Sequence, residues 1–219
     1  MIKLSPPVTY GDMLKSTYDP DNDGIIGIAQ GGTGNTDGYI RAGKKSGTGN
    51  SYYNTIEGVN NTGLGMYSHV EGQNNTITIQ GTSAHAEGVS TTVQAANCHT
   101  EGSGTIASSN AAHAEGYQTS AGGIAAHAEG YQTTVTNEAS HAEGRGTIAD
   151  GVYSHAEGYS TTATDYAHAE GSLTYAGSGG HSEGDHTTAR GSGSHAEGQN
   201  TYAAAKAHAE GQNTYAEGT

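Results

Sequence analysis

Eleven histidines in this chain are each followed two residues later by glutamate and three later by glycine. The pairs are His69 and Glu71, His85 and Glu87, His99 and Glu101, His113 and Glu115, His127 and Glu129, His141 and Glu143, His155 and Glu157, His168 and Glu170, His181 and Glu183, His195 and Glu197, and His208 and Glu210. Residues two apart on a strand share a face. Each pair can therefore exchange a hydrogen bond or a proton, or offer nitrogen and oxygen to zinc, nickel or copper. A second candidate set is Asp19, Asp21 and Asp23 before Gly24, with the spacing of the first half of a calcium loop. The sole thiol is Cys98, so no disulfide can form within the chain.

The element that positions these pairs is a repeat. Five consecutive steps, from His85 to His155, are 14 residues; later steps are 13 or 14, and the first is 16. Thr55-Ile56-Glu57-Gly58 is one more unit that keeps Glu-Gly and lacks the histidine. A unit this short is one turn of a solenoid, not a domain. Identical pairs repeated along a rod describe a scaffold, not a catalytic site. Neither a nucleophile with an ordered base nor a phosphate-binding Gly-Lys-Ser/Thr loop is found, and the chain is read as non-enzymatic.

Side-chain size gives the register within a coil, with histidine as position 1. The residue before it is always small, from Ser68 and Ala84 to Ala207, and Cys98 fills that slot once. Position 2 is nearly always small as well, with Val70 the largest after a histidine. Small, His, small, Glu, Gly has the period of a strand, small face inward. A second short strand follows. Position 7 is threonine in ten coils, position 9 is alanine or valine, and position 8 varies freely. Positions 7 and 9 thus point in and position 8 points out. Two short strands per coil predict an all-β, flattened two-sheet parallel β-roll over residues 51–219. The 13-residue coils are expected to lose their residue in the turn after position 9, and Cys98 is expected to be buried and inert.

Composition narrows the rest. The chain has 36 Gly, 14 Tyr, no Phe or Trp, and 32% hydrophobic residues, which would suggest disorder without the strict period. Eight Lys and Arg against 22 Asp and Glu give a net charge of −14, which disfavours nucleic acid and anionic membrane as partners. No window approaches the roughly 20 apolar residues of a membrane span, and no apolar run follows Met1 to suggest a signal peptide. A cytosolic product is expected. Residues 1–50 do not share the repeat: Thr9 to Tyr18 could form a short helix, and 31–50 read as a Gly-rich connection. The repeat stops mid-register at Thr219 without a cap, which suggests a fragment, a processed product or capping by another chain.

The unit Ser-His-Ala-Glu-Gly, at 154–158 and 194–198, resembles the Ser-Val-Ala-Ile-Gly unit in the heads of YadA-like trimeric autotransporter adhesins. The likeness covers roughly residues 51–219. It implies a left-handed parallel β-roll, homotrimeric, in which the slots filled here by His and Glu pack around the trimer axis. With Tyr-Gln-Thr-Thr following, as at 131–134, the unit also resembles repeats of bacteriophage fibre proteins, as do Ala29-Gln30-Gly31-Gly32-Thr33-Gly34 and Met13-Leu14-Lys15-Ser16-Thr17-Tyr18-Asp19. A head or tail fibre on the virion surface is implied, with residues 1–50 attaching it to a capsid or tail protein and its shaft aiding contact with a host-cell glycan. The lack of a leader or anchor favours this over the alternative, a bacterial surface adhesin head. Some fibres of this repeat type carry a C-terminal self-cleaving chaperone, and the stop at Thr219 is compatible with one having been removed.

Under that resemblance each rung sets three His and three Glu near one axis. An interchain hydrogen-bond network is the stronger reading, because parallel coils about 4.8 Å apart would crowd a metal ion at every rung. A metal-ordered rod is the second alternative. For calcium, Gly27 and Gln30 stand where the second half of the loop needs ligands, so a solvated turn is favoured at Asp19–Asp23. The irregular position 8 excludes the flat threonine face of an ice binder. Tyr175, Tyr202 and Tyr215 are expected outward, where they shield the sheet or stack on sugars.

Overall fold

The computed structural model of the protein describes residues 54–218, together with the backbone of two earlier strands, β1 (Ile40–Lys45) and β2 (Thr48–Gly49). The expected helix at Thr9–Tyr18 and the acidic set Asp19, Asp21 and Asp23 lie outside the described residues.

Alternation of small and large side chains produces what it predicts. The described chain is all-β, a parallel β-solenoid built from two sheets of thirteen strands each, with no helix among the described residues. Every coil contributes a five-residue strand to one sheet and a two-residue strand to the other, from β3 (Thr55–Val59) and β4 (Thr62–Gly63) to β25 (His208–Gln212) and β26 (Tyr215–Ala216). β1 pairs with β3 and β2 with β4, so strand pairing begins ahead of residue 51, within the stretch read as a connection. A register shift between Ala42 and Lys45 marks that first pairing as irregular.

Stacking places like on like. On β11 (His113–Tyr117), β13 (His127–Tyr131) and β15 (His141–Arg145), His pairs with His, Ala with Ala, Glu with Glu and Gly with Gly. The interior is thin. Position 2 (Ala114, Ala128, Ala142) and position 9 (Ala121, Val135, Ala149) are fully or almost fully buried, and so is the threonine of position 7 between them. Where an early coil carries a larger group, its opposite number shrinks: Ile56 faces Gly63, whose added Cβ would sit 3.1 Å from the isoleucine Cδ1. Thus 7 and 9 point in and 8 points out, as expected.

The coil bends at three places where φ is positive; the turn at the repeat glycine was expected from the sequence, and the other two were not legible in the pattern. The first is the repeat glycine itself, at φ from +95° to +119°; a Cβ there would lie 2.0–2.1 Å from the carbonyl oxygen of the next coil's glycine in every coil up to Gly198. The close approach, and not only the torsion, demands glycine. The other two are position 6 and the residue two before each histidine, near φ +50° to +60° and mostly non-glycine: Gln118, Gln132, Ala111, Ala125, Tyr153 and Tyr166 among them. Such a torsion costs an ordinary residue about 1–2 kcal/mol. From Asn74 onward each is offset by a backbone bond to the preceding coil, such as Gln132 N–H to Tyr117 O at 2.8 Å and Ala139 N–H to Ile124 O at 2.8 Å.

Length variation falls in one turn. The 13-residue step from His155 to His168 and the 16-residue step from His69 to His85 keep His on His and Glu on Glu, and differ only in the turn after position 9. Inside, Asn61 and Asn75 occupy the position-7 slot and bridge coils: Asn75 Nδ2 donates to Gly88 O at 2.8 Å and Thr91 N–H donates to Asn75 Oδ1 at 2.9 Å. Thr91, Thr105, Thr119, Thr133 and Thr147, in the same slot, are too short to reach, and their hydroxyls have no protein partner.

The glycine argument separates two substitutions. Gly130→Ala should destabilise the rod by about 3 kcal/mol, the sum of a disfavoured torsion and a backbone clash. Gly146→Asn should shift stability by less than about 1 kcal/mol, because the site at φ +65° has its nearest non-neighbour atom 3.6 Å from a Cβ. Urea unfolding of both variants checks this; equal losses would remove the close-approach argument.

Candidate functional site

Positions 1, 3 and 5 of the long strands face outward together and form three columns down one sheet. The histidine column is continuous. From His69 to His208 each imidazole stacks on the next, with ring centroids 4.6–4.9 Å apart and planes within 3–7°. The glutamate column runs beside it. In every one of the eleven coils Nε2 of the histidine lies 3.4–3.6 Å from Oε2 of its glutamate. That is longer than the 2.7–2.9 Å of a closed charge-assisted hydrogen bond. The two groups are aligned without being saturated, and carboxylate lone pairs remain free. Apart from the last coil, the imidazoles are about one-third exposed and the carboxylates nearly half. All twenty-two residues singled out in the sequence therefore share one accessible face.

The electrostatics of this face are lopsided. Of the 22 acids, five (Asp12, Asp19, Asp21, Asp23, Asp37) precede residue 54, as do five of the eight bases (Lys3, Lys15, Arg41, Lys44, Lys45). The remaining 17 acids accompany three bases, Arg145, Arg190 and Lys206, so residues 54–219 carry a net charge of −14. All 12 histidines lie in the same stretch. Burial pushes the His141 imidazole below its ordinary proton affinity, its stacked neighbours His127 and His155 push the same way, and Glu143 opposes them. Among the described residues no group of three His, Cys, Asp or Glu side chains is arranged to hold a metal ion.

The third column was missed by sequence reasoning, although its signal, a large residue two after most of the glutamates (Tyr117, Tyr131, Arg145 and Tyr159 in succession), was available. Tyr117 and Tyr131 stack at 5.0 Å, and the Arg145 guanidinium lies over Tyr131 at 5.3 Å and over Tyr159 at 5.8 Å. Also unanticipated is His186, outside the ladder, whose Nδ1 lies 2.8 Å from Asp185 Oδ1. Hydrogen bonds from Gln199 and His186 hold the Asp185 carboxyl below its usual range. On the opposite sheet Tyr202 and Tyr215 do point outward, but they stack on each other at 4.8 Å, so the facing sides of these rings are already covered.

Cys98 fills the small slot before His99, buried, with Sγ 3.0 Å from the Ser109 carbonyl oxygen. Burial raises its pKa, which lowers the thiolate fraction that thiol reagents attack. At pH 8 the folded chain should react with a disulfide reagent at least tenfold more slowly than the chain in urea; equal rates would place the thiol at the surface. No protein-family model matches this chain, and no curated protein matches it.

Proposed function

We propose that the chain is a non-enzymatic structural rod that assembles as a homotrimer through its His/Glu face and serves as a bacteriophage head or tail fibre. The observation that carries the reading is the ladder itself: eleven His/Glu pairs in unbroken register on one flat, accessible face, each pair aligned but unsaturated. Three such faces around an axis would give every imidazole N–H and every carboxylate further partners. The N-terminal segment attaches the rod to the virion, and the exposed shaft touches the host surface. The likeness of Ser-His-Ala-Glu-Gly to fibre repeats supports the virion assignment, and the sign of the rod's charge argues against nucleic acid as its partner.

Light scattering in native buffer should give a mass near three times 22.1 kDa. Small-angle scattering should show a rod whose solenoid, twelve coils at about 4.8 Å, is roughly 55–60 Å long. A folded monomer at micromolar concentration refutes the assembly, and antibody labelling of virions in electron micrographs tests the location.

The face can be tested by exchange. His127→Ala should lower the melting temperature without dissociating the trimer, since it leaves one carboxylate per chain unpaired at about 1–3 kcal/mol. Replacing His and Glu by Val and Ile at coils 113–115, 127–129 and 141–143 should keep or raise stability, because apolar groups of similar shape need no partners. Collapse of that variant would put these side chains on the wrong face. A loss of stability on adding EDTA, confined to the wild type, would favour the metal-ordered rod instead.

A further inference from the structure

The ladder has a property that a mixed column of His and Glu cannot escape once it is covered. Residues 54–219 carry 17 acids and three permanent bases, and twelve of the acids, from Glu57 to Glu210, form the single Glu column. In the isolated chain water screens them. If three copies meet through this face, each rung gathers three carboxylates, and with neutral imidazoles the ladder has no counter-charge except Arg145 of the third column. Removing unpaired carboxylates from water is strongly unfavourable. The groups in contact that can supply positive charge are the stacked histidines, 3.4–3.6 Å from the carboxylates.

We infer that assembly is proton-linked: the His column binds hydrogen ions as the copies come together, which makes the trimer tighter in mildly acidic solution than in alkaline solution. The inference rests on the trimer reading above. The groups that act on a central imidazole are few. His141 is flanked by His127 at 4.7 Å and His155 at 4.9 Å. Its own Glu143 lies at 3.6 Å, and Glu129 and Glu157 occupy the same column on the paired strands. Tyr131, Arg145 and Tyr159 form the third column, and Glu138, Asp150 and Asp165 lie in the turns beside this face. The short strands behind it, Thr134–Val135 and Ile148–Ala149, bring no charge.

In the single chain burial and the two flanking imidazoles outweigh Glu143 and lower the proton affinity of His141. Carboxylates added by two further copies reverse that balance. A group whose proton affinity rises on assembly stabilises the assembly fully below its free pKa and ceases to do so as pH rises through its assembled pKa. For His141 the window therefore opens below the ordinary imidazole value of about 6.5 and extends toward the alkaline side, to the raised affinity of the assembled state. On the acid side it ends near the ordinary glutamate value of about 4.3, where the carboxylates neutralise and leave a column of cations.

The test uses the full chain at constant ionic strength without divalent ions. Sedimentation of a dilution series from micromolar to nanomolar gives the association constant at pH 6.0, 7.5 and 8.5. One net proton bound changes the constant tenfold per pH unit, so a fall of at least tenfold between pH 6.0 and 7.5 is expected. Joint Gln replacement of His113, His127 and His141 should flatten that slope, with circular dichroism confirming the fold. If the trimer resists dilution, potentiometric titration of native and urea-unfolded chain decides, with more protons bound by the native rod at pH 7 expected. A trimer whose constant is independent of pH, or rises with it, or a native rod that binds no extra protons, overturns the linkage and leaves the trimer standing. Monomer at every pH overturns both.

Discussion

Everything in this molecule follows from stacking each coil in register on the next at the spacing of a β-ladder. At positions 1 to 4 of the long strand most residues then sit on their own kind, and a residue type is admitted there only if a column of itself is tolerable at that distance. Glycine passes inside the bend because two backbones come so close there that a Cβ would meet a carbonyl oxygen at 2.0–2.1 Å. Alanine passes at position 2 because a column of methyl groups fills a thin interior. Imidazole passes because flat rings stack, here at 4.6–4.9 Å. Amides pass as ladders, with Gln132 donating to Gln118 at 2.9 Å and Gln212 to Gln199 at 2.8 Å. Glutamate is the exception. A column of carboxylates repels itself, and its place in every coil makes sense only beside a column that can neutralise it.

Histidine suits that role because its charge is conditional. A lysine column would pair with glutamate at every pH and repel itself just as constantly. A column of imidazoles can hold as many protons as the carboxylates around it require. Stacking geometry sets the repulsion between neighbours and the 3.4–3.6 Å approach to glutamate sets the attraction. Covering the face, which removes water, raises both. The isolated chain and an assembled rod would therefore hold different numbers of protons on the same side chains.

The legible part of this structure was whatever repeats in side-chain size. Alternation of Ala, His, Ala and Glu was enough to give the strand, its inward face and the shared face of all twenty-two ladder residues, and Thr at 7 with Ala or Val at 9 gave the second strand. The length changes near His85 and His168 could be assigned to one turn because the flanking pattern was unbroken. What escaped was backbone conformation carried by dissimilar residues. Ala125, Gln132, Tyr153 and Lys206 share a positive φ without a common chemistry, because the neighbouring coil's carbonyl and not the side chain stabilises the bend. The pairing of Ile40–Lys45 with the first regular coil was hidden for a related reason: that segment lacks the His-x-Glu-Gly signature, and only the backbone partner defines it.

The same division says where such a rod can vary without losing itself. Columns tolerate little, since a change at one rung is met by identical residues above and below. The turn after position 9 is free of that constraint, and it absorbs one residue fewer in some coils and two more in another. It is also where bulky groups stand out: Ile79, Ile124, Tyr153 and Tyr166 are all more than half exposed there, and Tyr153 and Tyr166 stack across successive coils. A surface that must change to meet new partners can change in this turn while the His/Glu columns, a quarter-coil away in sequence, keep their register. Stiffness and variability are thus assigned to different arcs of the same short repeat.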